Sequence, residues 1–312
     1  MKNKIWSFLT FSLILLLITG CSSGSTNASK KKDKQVFAVS FYTLNNPHWI
    51  EWSKGLKDTI EKHGDQLIIT DGQDNLSKQV SDIEDLVTQQ VDLIFVAPAD
   101  SSGIKPALET AHSADIPVVV IDIPVKDKEL VTSTVSTDNY LAGQLLAKEM
   151  IKETKGKANV GLIDYSVIDT AVQRSNGFFK VIKKKPGIKV IARQEGMAST
   201  ELGMKVMENF LQSNPEINTV FASNDMTGLG ASRAVEAAKR KDIKIFSVDG
   251  SKDALRAIKE GRLTGTAGQF PYKMGTVAAK TAFKIKNGEK VEKWIKVPPK
   301  WINKANVDEY LK

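Results

Sequence analysis

From residue 36 onward, short runs of β-branched and aliphatic residues alternate with polar turns and helical stretches. The runs are 36–39, 67–69, 93–96, 118–121, 160–163, 190–192, 220–222 and 245–248. They are continuous rather than alternating, which predicts strands buried on both faces, as in parallel sheets. Helical spacing is strongest at 52–62, 80–89, 104–114, 141–152, 202–211 and 229–238. Strand and helix patterns alternate about eight times, so the predicted class is α/β with doubly wound sheets. No self-similarity at a period of about 20–50 residues stands out, which excludes a solenoid.

The first 35 residues differ from this body. Lys2 and Lys4 precede an apolar stretch at 5–18, shorter than the ~20 residues a membrane span needs but suited to a secretory signal. Residues 1–20 are therefore expected to be a signal peptide. Ile18-Thr19-Gly20-Cys21 resembles the lipobox of bacterial lipoproteins. That resemblance implies a lipid on Cys21, the single cysteine, and a protein exported and anchored to the outer face of the cell membrane. Residues 21–35 carry almost no apolar side chain and read as a flexible tether.

Length and charge narrow the picture. A chain of 312 residues suits two domains at roughly 150 residues each, and a 41% hydrophobic share excludes a mostly disordered chain. The formal charge of +8 is misleading until it is located. Residues 1–35 hold six lysines and one acid, leaving 38 basic and 35 acidic residues in the body. A body so nearly neutral has no footprint for nucleic acid.

Candidate chemistry gathers where strands end, the place ligands occupy in open parallel sheets. Tyr42, Asn46, His48 and Trp49 follow the first run, and Asp122 follows 118–121. Arg174 is expected to open the helix after 160–163, and Asn224 follows 220–222. Asp249 follows 245–248, and Gln269 follows the apolar-small run 263–268. Carboxylates, amides and one guanidinium fixed at strand ends suit a ligand dense in hydroxyls. Each taken singly is better read as a cap or turn residue than as a ligand contact; six in register at strand ends are not so easily read that way.

In these residues the sequence resembles the bacterial ribose-type periplasmic sugar-binding proteins, over about residues 36–298. The stretches that carry it are Thr43-Leu44-Asn45-Asn46-Pro47, Pro98-Ala99-Asp100-Ser101, Ser136-Thr137-Asp138-Asn139, Gln173-Arg174-Ser175-Asn176-Gly177-Phe178, Phe221-Ala222-Ser223-Asn224-Asp225 and Val248-Asp249-Gly250. The resemblance implies two lobes, 36–136 with 270–297 and 137–269 with 298–312, joined by three crossings. It implies sugar-hydroxyl contacts at Asn46, Asp122, Arg174, Asn224, Asp249 and Gln269, and a ring-stacking aromatic at Trp49. It also implies a monomer that hands its ligand to an ABC transporter permease, with no cofactor.

This chain departs from the ribose pattern in four places. It has His48 for a second aromatic, Ile123 for an arginine, Ala97 for an asparagine, and a residue near Ala198 for another aromatic. Tyr42, His48 and Asp169 offer polar groups of their own. A hexose, pentose, deoxy sugar or cyclic polyol all remain open.

Other classes fare worse. Three histidines without a Cys cluster or HExxH give no metal site, and Gly228-Leu229-Gly230 lacks the third glycine of a dinucleotide loop. Asp122 and Asp249 could be read as a glycosidase pair, but the strand-end setting and the resemblance favour binding. A transcriptional effector domain would need a DNA-binding segment where the signal lies. A sugar-sensing co-receptor for a membrane kinase or chemoreceptor would use the same closed form, so the sequence leaves it as the alternative output.

Overall fold

The computed structural model describes residues 34–311. The proposed signal, Cys21 and most of the tether lie outside them. The chain runs through β1 (Val36–Phe41), α1 (Pro47–Lys62), β2 (Gln66–Asp71), α2 (Leu76–Thr88), β3 (Leu93–Ala97), α3 (Lys105–Ser113), β4 (Val118–Ile121) and β5 (Ser133–Thr137). It continues through α4 (Asn139–Glu153), β6 (Ala158–Asp164), α5 (Asp169–Ile182), β7 (Ile188–Glu195), α6 (Thr200–Ser213), β8 (Thr219–Ala222), α7 (Asp225–Ala237), β9 (Lys244–Asp249), α8 (Lys252–Glu260) and β10 (Gly265–Gly268). The last elements are α9 (Pro271–Lys286), β11 (Trp294–Val297) and β12 (Lys300–Asn303).

Two six-stranded sheets result, ordered β11-β5-β4-β3-β1-β2 and β12-β10-β9-β8-β6-β7. The α/β, doubly wound reading holds. Strands β1, β3, β4, β6, β8 and β9 are the most apolar, and nearly all their side chains are buried between helices on both faces. The chain passes between sheets after β5, after β10 and after β11. The sheets match strand for strand except at one edge. β11 joins β5 in parallel, whereas β12 joins β10 antiparallel.

Three strands escape the apolar-run rule. β5 reads Ser-Thr-Val-Ser-Thr yet is wholly buried. Its serine hydroxyls are met by the distant segment that forms β11, Ser133 donating to the Glu292 carbonyl and Ser136 accepting from the Trp294 indole. β11 and β12 are four-residue edge strands, too short to carry a pattern.

Two helix starts also differ from expectation. α5 begins at Asp169, so Arg174 lies in its second turn rather than opening it. An extended Ile168 precedes it, and an acid in the first turn suits the helix dipole. α1 begins at Pro47, whose fixed φ and missing N–H favour the first helical position, so His48 and Trp49 are helical.

Candidate functional site

The carboxyl ends of both sheets carry the chemistry. Asp122 follows β4 and Asp249 ends β9, the fourth strand from the corresponding edge of each sheet. Both hold a backbone that L residues rarely adopt, Asp122 at φ 63° and Asp249 at φ 139°. Strain of this kind persists only where the surroundings over-determine it, and it clusters at functional sites.

Each carboxylate meets a basic side chain from the helix that follows the first strand of its own sheet. In the first sheet, His48 Nε2 lies 3.5 Å from Asp122 Oδ1. In the second, Arg174 Nη1 lies 3.2 Å from Asp249 Oδ1. Arg174 is buried and doubly held: its Nε donates to Asn139 Oδ1 at 2.8 Å, and its Nη1 donates to the Ser223 carbonyl at 2.8 Å. Asp249 Oδ1 also accepts from Gln269 Nε2 at 2.7 Å.

The two halves act on one another electrostatically. Burial opposes protonation of His48, but the charge and hydrogen bond of Asp122, with Asp249 across the gap, outweigh it and the opposing Arg174. The imidazole pKa therefore rises above 6.5. Burial raises the Tyr42 phenol, a hydrogen bond with Trp49 works against that, and Asp122, Asp74 and the opposite sheet's Tyr165 push it further up. Behind Asp249 sits Asp225, fully buried, accepting from the hydroxyls of Ser247 and Thr266 and the N–H of Ser251. Burial first, then the charge of Asp249, lift its pKa to about 7.

The aromatic floor belongs to the first sheet. Trp49 is buried on α1 against Phe41, with Tyr42 and His48 edge-on at 5.3 and 4.9 Å between centroids. Ile123 packs on the apolar cluster of that sheet, and Ala97 is buried within it.

Asn46 and Asn224 have a structural role as well. Each is an N-cap, Asn46 Oδ1 accepting from the His48 N–H and Asn224 Oδ1 from the Thr227 N–H. Capping occupies one side of each amide and leaves its Nδ2 to donate elsewhere. Arg174 Nη2 and Asp122 Oδ2 also have no hydrogen-bond partner among the described residues.

Tyr42, His48, Trp49 and Asp122 thus form one group, and Arg174, Asp249 and Gln269 the other. Asn224 caps α7, whose first residue, Asp225, gives its N–H to Asp249 at 3.4 Å. Asp169 is exposed at the start of α5 and shares no hydrogen bond or ion pair with either group. Sequence reasoning passed over Asn139, Thr137 and Tyr165. The first two stood in the Ser136-Thr137-Asp138-Asn139 stretch that carries the resemblance, which was their available signal.

Among the described residues no cluster of three or more His, Cys, Asp or Glu could hold a metal ion. No described helix is long and apolar enough to cross a membrane.

The family model for the periplasmic binding protein domain matches residues 37–290. The chain is 36% identical over 307 residues to the ribose import binding protein RbsB of Bacillus subtilis, covering 96% of this chain and 98% of that one. A periplasmic solute binding protein of an ABC transporter from Actinobacillus succinogenes, solved with bound D-allose, superposes with a TM-score of 0.82 at 29% identity, over 89% of this chain and 100% of that one. A solute binding protein from Bacillus halodurans with bound myo-inositol gives 0.80 at 27% identity, over 89% and 97%.

Proposed function

The chain belongs to the periplasmic binding protein family, and from that premise we propose that it captures a monosaccharide or cyclic polyol between its two sheets and delivers it to the permease of an ABC transporter. The carrying observation is the pair of strained strand-end carboxylates on opposite sheets, each paired with a basic side chain, with Asp249 and Arg174 of one sheet acting electrostatically on His48 of the other. Carboxylates so fixed accept from two hydroxyls on opposite sides of a ring, while Arg174 Nη2 and the amides of Asn46 and Asn224 donate. Trp49, edged by Tyr42 and His48, supplies an apolar surface for ring C–H groups. Import rather than sensing is favoured because the relative at 36% identity is named for import. The ligands of the related structures, D-allose and myo-inositol, support a ligand that is compact, neutral and ringed with hydroxyls.

The two sheets act as lobes, with residues 36–136 and 270–297 in one and 137–269 and 298–312 in the other. They close by rotation about the three passages, stabilised by contacts that both lobes make with the ligand. The protein works as a monomer, outside the cytoplasmic membrane, tethered by a lipid on Cys21. It binds without turnover.

A thermal-shift screen over pentoses, hexoses and inositols is expected to reveal a ligand that raises the melting temperature, because binding to the native state alone stabilises it. Solution scattering should then show compaction on adding that ligand. A flat screen, or a glycoside turned over at a rate abolished by Asp122→Asn, overturns the reading. For the anchor, Cys21→Ala should release the body from membranes, and a variant as firmly membrane-bound as wild type refutes it.

A further inference from the structure

Asn139 is the first residue of α4, just past the passage from the first sheet to the second. It is not needed as a cap, because Asp138 fills that role by accepting from the Leu141 N–H at 2.9 Å. Its side chain is nevertheless buried and used on both sides. Oδ1 accepts from Arg174 Nε at 2.8 Å, and Nδ2 donates to the Thr137 carbonyl at 3.2 Å. The partners fix the amide's orientation, since Arg174 only donates and a carbonyl only accepts.

Thr137 ends β5 and continues the chain of bonds. Its hydroxyl lies 2.5 Å from Gln269 Oε1 and 3.1 Å from Met274 Sδ. With one proton to give, it donates to the amide oxygen, the stronger acceptor. Gln269 stands at the second passage and donates to Asp249 Oδ1, which pairs with Arg174. Asn139, Arg174, Asp249, Gln269 and Thr137 therefore close a ring, returning to Asn139 through the Thr137 carbonyl. Gly143, one turn along α4, permits the approach. A Cβ there would collide with the Arg174 carbonyl.

We propose that Asn139 is a positioning residue for ligand binding, holding the Arg174 guanidinium through Nε so that Nη2 is presented to the ligand. The ring ties that grip to two of the three passages between sheets, so occupancy of the site and the posture of those passages are coupled. This rests on the ligand site proposed above, and the measurements separate the two.

The first readout needs no ligand. In wild type, the Arg174 Nε–H NMR resonance should be resolved and slow to exchange. In Asn139→Ala it should exchange at least tenfold faster. The second uses D-ribose, D-allose or myo-inositol, whichever raises the melting temperature most. Asn139→Ala should weaken its Kd about tenfold. In an Arg174→Lys background, which lacks the Nε–H, the same substitution should cost less than twofold. Asn139→Ser, whose hydroxyl is too short to reach Nε, carries the same measurements if the alanine variant does not fold. Unchanged Nε–H exchange, or equal losses in the two backgrounds, overturns the proposal. Binding of none of the three by wild type counts against the ligand reading and leaves the exchange test standing.

Discussion

Asp122 and Asp249 occupy equivalent places in two sheets of matching order, and both sit at a strained φ, yet their partners differ in kind. Asp249 is locked by a buried guanidinium and the Gln269 amide; Asp122 has a partly exposed imidazole at 3.5 Å. A guanidinium keeps its charge at every pH a protein meets, whereas an imidazole changes charge near neutrality. One fold has thus built the same half-site twice, once as a fixed anchor and once as an adjustable one. The rigid half belongs to the sheet entered through Asn139. The adjustable half carries the aromatic floor.

The comparison can be broken most severely at Arg174. Arg174→Ala removes a buried guanidinium and leaves Asp249 without its cation, and should cost about 2–5 kcal/mol of ligand affinity by calorimetry. Asp122→Ala removes a carboxylate whose partner is a partly exposed imidazole at 3.5 Å rather than a buried guanidinium, and should cost less, about 1–3 kcal/mol. Equal losses, or both within threefold in Kd, would erase the distinction between anchor and adjustable half.

A third test concerns Asp225, which holds its proton to about pH 7 when folded but releases it near 3.8 when unfolded. Folding therefore binds a proton between those values, and stability should fall as pH rises from about 4 to about 7. Asp225→Asn keeps one acceptor for the Ser251 N–H and faces the two hydroxyls with an amide, so it should flatten that fall. Parallel curves of melting temperature against pH for wild type and variant would refute the assignment.

The smallest effect is at His48, whose pKa is raised in the folded chain. Its contribution to stability is complete below about pH 6.5 and is lost as pH rises through the folded value. His48→Gln should remove that loss, a difference of about 1 kcal/mol or less because the pair is partly exposed. Comparing melting temperatures at pH 6 and pH 8 measures it. The same change on the Arg174 side should alter affinity but not this slope.

Much of this was legible beforehand. The apolar runs that became β1, β3, β4, β6, β8 and β9 announced parallel sheets because a strand covered on both faces has no polar side to show. Asp122 and Asp249 were legible as candidates because ligands lie beyond the carboxyl ends of strands in open parallel sheets, and Arg174 because it stands in the Gln173–Phe178 stretch that carries the resemblance. β5 was not, since buried hydroxyls read as polar until the carbonyls that satisfy them are in view. Nor was Asn139, whose bond to Arg174 spans 35 residues, or Thr137, which reaches Gln269 across 132.

Near neighbours along the chain set the alternation of strand and helix, the caps at Asn46, Asn224 and Asp138, and the placing of polar groups at strand ends. Those features follow from periodicity, backbone valence and local hydrogen bonding, which act within a few residues. Contacts between distant segments set which basic group meets which carboxylate, that β12 runs against β10, and that five residues close a ring around two passages. Such pairings depend on distances between segments far apart in the chain. Their strength depends on the water excluded when the segments pack, and no stretch of sequence contains either quantity.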